Sequence, residues 1–76
     1  MAGADKGFAP PAWKTPEGGP LSCTEKIKLL NENLGEIHSM VQDAFEDAVL
    51  MGCDEAQVRD ELRRLVETLE NPYRKT

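Results

Sequence analysis

Apolar residues fall at Ile27, Leu30, Leu34, Ile37, Val41, Ala44, Ala48 and Met51, in steps of 3, 4, 3, 4, 3, 4 and 3. Such steps keep successive side chains on one side of a helix, whereas a half-buried strand would need alternation by two. The opposite side carries Glu32, Ser39 and Glu46 and is wholly polar. This is the a/d pattern of helices that pack on other helices. It constrains the chain to an all-α fold in which the long helix has a partner helix to lie on.

Local signals bound this helix and start a second. Ser22 with Glu25 fits a capping box, in which the serine oxygen accepts from a backbone amide and the glutamate reaches back. Gly52 can take the left-handed conformation that ends a helix. Asp54 with Gln57 repeats the capping spacing, and Val58, Leu62, Leu65 and Leu69 form a second stripe that Val66 widens. Asn71-Pro72 stops it, because a residue before proline is pushed out of the helical region. The expectation is an antiparallel helical hairpin over residues 22–71, with a long helix at about 23–51, a short one at about 55–70 and a tail at 72–76.

The two helices are unequal. At ~1.5 Å per residue the long one spans ~43 Å and the short one ~24 Å. Folded back from Gly52, the short helix reaches to about Gly35 or Glu36 and leaves Ile27, Leu30 and Leu34 without cover. Leaving such side chains in water forgoes about 1.5–3 kcal/mol each. Leu29, Phe45, Val49 and Leu50 also broaden the apolar side beyond a two-helix seam. The leading expectation is a second copy related by a two-fold axis, giving a dimeric four-helix bundle. The rivals are an N-terminal segment folded back over the exposed end, and a different protein that supplies the missing helices.

Residues 1–21 are of another composition. Gly3, Gly7, Gly18 and Gly19 lie here with Pro10, Pro11, Pro16 and Pro20, so neither helix nor strand propagates. The segment reads as a disordered or polyproline-like N-terminal arm. Its large apolar groups, Phe8 and Trp13, are candidate anchors for a partner.

Composition narrows the function. Only 39% of the 76 residues are apolar and 5% aromatic, which leaves little material for a closed catalytic cavity. The longest aliphatic run, Ala48–Met51, is far short of the roughly 20 residues that cross a bilayer. No basic then apolar stretch of secretory type opens the chain, so a cytoplasmic location without membrane insertion is expected. A net charge of −5 makes nucleic acid an unlikely partner class.

The chemistry-bearing residues do not converge. Cys23 and Cys53 bracket a helix that would hold them ~45 Å apart, far beyond disulfide reach. They are expected as reduced thiols, with redox or intersubunit roles as the sharper alternative, since antiparallel copies would bring one toward the other. His38, the sole histidine, lacks a Glu-x-x-His partner and is separated from each cysteine along a rod, so no metal or cofactor is expected. Asp43, Glu46, Asp47, Asp54 and Glu55 form a solvated acidic end rather than a general acid–base pair. Arg59, Arg63 and Arg64 read as an intrahelical ion-pair face.

These features point to a non-enzymatic helical interaction protein: an adaptor, accessory subunit or regulator of a larger protein. Its expected partner-binding residues are Phe8, Trp13, Ile27, Leu30 and Leu34. One alternative is a structural subunit of a larger assembly. The hairpin's size and capped turn are also similar to the plasmid copy-number regulators, which form antiparallel four-helix dimers and bind RNA hairpins. That architectural likeness implies a further alternative, a nucleic-acid-binding regulator using Arg59, Arg63 and Arg64.

Overall fold

The computed structural model describes residues 9–73. Among them the regular elements are two helices, α1 (Thr24–Leu50) and α2 (Glu55–Glu67), with no strand beyond an isolated bridge. The expectation of an all-α chain with a long and a short helix holds. Two compact units divide the chain, Met1–Asp43 and Ala44–Thr76, and the division falls inside α1.

α1 begins one residue later than the capping box implies. Its first bond runs from the Ile27 amide to the Cys23 carbonyl at 3.0 Å, which places Cys23 at the N-cap position.

The second unit contains the turn between the helices. Gly52 has φ +99°, and no other residue of this turn has positive φ. The Cys53 amide donates to the Ala48 carbonyl, and the Gly52 amide to the Val49 carbonyl, both at 3.0 Å. These are the two bonds of a Schellman ending, and they satisfy carbonyls that the helix end would leave orphaned. Two residues later Asp54, in extended conformation, accepts from the Gln57 amide at 2.9 Å and caps α2. The guanidinium of Arg59 lies over the Phe45 ring, 4.6 Å from its centroid, so α2 turns back beside the last turns of α1.

α2 stops at Glu67, three residues before the expected end. Thr68 is the cause. Its hydroxyl donates to the Leu65 carbonyl at 2.6 Å, and its amide is shared between Arg64 and Leu65 at 3.1 and 3.2 Å. The Leu69 amide then reaches only to Val66, three residues back, so the helix tightens and closes. Leu69 therefore lies past the helix. Beyond it, Asn71 accepts from the Tyr73 amide at 2.8 Å around Pro72, an Asx turn.

In the first unit, residues 13–21 form a short hairpin. Lys14 and Pro20 form an antiparallel bridge. The Thr15 amide donates to Gly19 at 2.8 Å, the Gly18 amide to Thr15 at 2.9 Å, and the Leu21 amide to Trp13 at 3.0 Å. Gly18 has φ +95°, and no non-glycine residue among those described has positive φ. The pattern is a three-residue loop, Pro16-Glu17-Gly18, in which a type I turn is followed by a left-handed glycine. Proline suits the first loop position, because its φ is already set to the value that the turn needs.

No described residue is buried. What shielding there is follows a different line from the one expected. Ile27, Asn31, Leu34, His38, Val41, Phe45 and Ala48 are half-buried, with Leu30, Gly35 and Ser39 beside them. Their steps of 4, 3, 4, 3, 4 and 3 make an a/e line rather than an a/d line. The d positions Ile37 and Ala44 stand outside it, with Ile37 55% exposed. At 100° per residue this is a rotation of about 50°.

Candidate interaction site

The best-defined tertiary contact of the first unit joins the arm hairpin to α1. Trp13 is half-buried, and its indole N–H donates to the side-chain carbonyl of Asn31 at 2.8 Å. The indole has a single polar atom, a donor, so a half-buried tryptophan is best placed where that donor finds an oxygen. Ile27 and Leu34 lie one turn before and one turn after Asn31 on the same side of the helix. Both are half-buried, as are Leu30 and, in the hairpin, Leu21.

Of the expected partner-binding residues, Trp13, Ile27, Leu30 and Leu34 thus belong to one unit, with Trp13 anchored on the helix side that carries Ile27 and Leu34. Phe8 lies outside the described residues. Asn31 was missed from the sequence. The signal for it is a lone amide at an e position beside two aliphatic a positions, together with a lone tryptophan that has a donor to place.

Larger apolar side chains stand in solvent elsewhere. In the first unit Met40 is 75% exposed beside Ile37. In the second, Leu65 is 59%, Val66 58% and Leu69 72% exposed. Val58 and Leu62, nearer the turn, are half-buried. The sequence stripe included Ile37, Leu65 and Leu69 but assigned them to packing; Met40 was not singled out. A shallow depression along α2 is lined by Val58, Leu62, Leu65 and Thr68.

The charged groups are arranged as the spacing implies. Arg59 pairs with Glu55 at 3.2 Å, and Arg63 with Asp60 and Arg64 with Glu61 at 2.7 Å. All three pairs lie within α2 and are solvent-exposed, so each contributes little to stability. Their effect is on the surface potential, since each arginine already faces a carboxylate one turn away. Arg59 is the exception in having an apolar surface too, the Phe45 ring, which suits a planar cation.

Cys23 and Cys53 are both free and exposed. Cys23 precedes α1 and Cys53 lies between the helices. Among the described residues no group of three histidine, cysteine or acidic side chains could hold a metal ion. No helix among the described residues is long and apolar enough to cross a membrane. No protein-family model, characterised protein or solved structure matches the chain.

Proposed function

We propose that this chain is a small non-enzymatic helical interaction protein, an adaptor, accessory subunit or regulator of a larger protein. It works through the apolar sides of its helices and through the N-terminal arm. One observation carries the reading: no described residue is buried, while Ile37, Met40, Leu65, Val66 and Leu69 are all more than half exposed. A chain of this size that keeps its aliphatic side chains wet gives up most of the burial energy on which small domains depend. Docking against other helices recovers it. A second copy, completing a dimeric four-helix bundle, is the simplest source, and helices of a larger protein are the other.

The carboxylates beside Arg59, Arg63 and Arg64 and the net charge of −5 speak against a nucleic-acid role, because they offset the positive potential that phosphate binding needs. The test is sedimentation equilibrium of the isolated chain, wild type beside Leu65→Glu. Self-association at tens of micromolar that the substitution abolishes is the expected result. Failing self-association, affinity capture from the cells of origin should recover a protein with wild type and lose it with Leu65→Glu. A cooperatively folded monomer that captures nothing overturns the proposal. An isolated chain that unfolds or aggregates favours a structural subunit of a permanent assembly.

A further inference from the structure

We propose that the Trp13–Leu21 hairpin is a strap that closes over the Ile27, Leu30 and Leu34 region of α1, latched by the Trp13–Asn31 hydrogen bond, and that its release bares this region for docking. The inference rests on the interaction role just proposed and adds regulation to the same site. Three observations support it. The hairpin's own backbone bonds, from Thr15 to Gly19, Gly18 to Thr15 and Leu21 to Trp13, are too few to hold so short a hairpin once it leaves the helix, so release exposes those amides. A neutral hydrogen bond, Trp13 Nε1 to Asn31 Oδ1 at 2.8 Å, ties the hairpin to the helix. Neither the anchor nor the region beneath is fully buried; Trp13, Leu21, Ile27, Leu30, Asn31 and Leu34 are all half-buried.

One neutral hydrogen bond shifts an open-to-closed ratio by about fivefold, on top of the apolar contact that the half-burial of Trp13 and Leu21 supplies. A partner with an apolar helix would cover the same aliphatic side chains, so it and the hairpin compete for them. The exposed apolar side chains elsewhere need no such release, so the strap controls one region of the surface and leaves the others always available.

The experiment uses the full chain and its own tryptophan, the only one present. Asn31→Ala removes the acceptor. Iodide quenching of Trp13, amide exchange at Thr15, Gly18 and Leu21, and binding of the dye ANS are followed together. Amide exchange should quicken by about fivefold, quenching and dye binding should rise, and helicity should stay unchanged. Trp13→Phe keeps an aromatic ring without the donor and should reproduce the faster exchange, which guards against an Asn31→Ala chain that folds poorly. A wild-type Trp13 as accessible to iodide as free indole overturns the strap. So does a pair of variants that leave exchange and dye binding unmoved. These readouts need no partner, so a strap that behaves as expected in a chain that binds nothing would overturn the interaction role and leave the conformational device standing.

Discussion

The indole N–H of Trp13 and the amide oxygen of Asn31 meet at 2.8 Å across a sequence separation of 18. The contact brings a segment rich in proline and glycine onto a helix that begins only at Thr24. Its neighbours Ile27 and Leu34 are the side chains that the shorter helix was expected to leave uncovered. The arm is thus placed where burial has most to offer.

Gly18 controls whether that arm can turn. With φ +95° and nothing within 4 Å of an added Cβ, a substitution there meets strain without a clash. Gly18→Val should cost at least about 1 kcal/mol in the hairpin. Backbone chemical shifts of residues 13–21 should move toward random coil while those of α1 and α2 stay put. Unmoved shifts would mean that the hairpin is not what orders the arm.

Gly52 is the corresponding position between the helices. Its φ of +99°, with open space around the missing Cβ, again makes strain the only penalty. Gly52→Val should lower stability by at least about 1 kcal/mol. Thermal melting by circular dichroism measures this, and an unchanged melting temperature would mean that α1 does not end in the Schellman turn.

Asp54 accepts from the Gln57 amide at 2.9 Å and caps α2. Asp54→Ala should cost about 1 kcal/mol, with the loss concentrated in the first turn of α2. Asp54→Asn retains the acceptor oxygen and should recover most of it. Amide exchange at Gln57 and Val58 separates the two outcomes.

Arg59 and Arg63 each form an intrahelical ion pair, but only Arg59 lies over an aromatic ring. Arg59→Ala should therefore destabilise by about 0.5–1 kcal/mol more than Arg63→Ala. The difference should persist in high salt, which screens the ion pairs but leaves the packing on Phe45. Equal effects of the two substitutions in a denaturant titration would remove the Arg59–Phe45 contact from the account.

Much of the helical part was legible before any coordinates. The 3-4 spacing, Gly52, and Asp54 with Gln57 are local signals, each acting within a turn of helix, and the structure places both helices and the intervening turn where they direct. The end of α2 was misread because Thr68 offers a hydroxyl to the Leu65 carbonyl, a competition that apolar spacing does not register. The shielded side of α1 was also misread. Hydropathy marks a broad apolar arc but does not say which part of it another segment will cover, and the half-buried line runs through Asn31 and His38 rather than Ile37.

The amino-acid sequence by itself determined the class, the two helices and their turn. Each depends on residues near one another along the chain, where propensity, capping and spacing act directly. Only the tertiary structure decided that Trp13 sits on Asn31, that Phe45 faces Arg59, and that Ile37 and Met40 remain in water. Those outcomes depend on which distant groups reach each other once the backbone is placed, and several pairings of comparable energy are open to the same spacing of apolar residues.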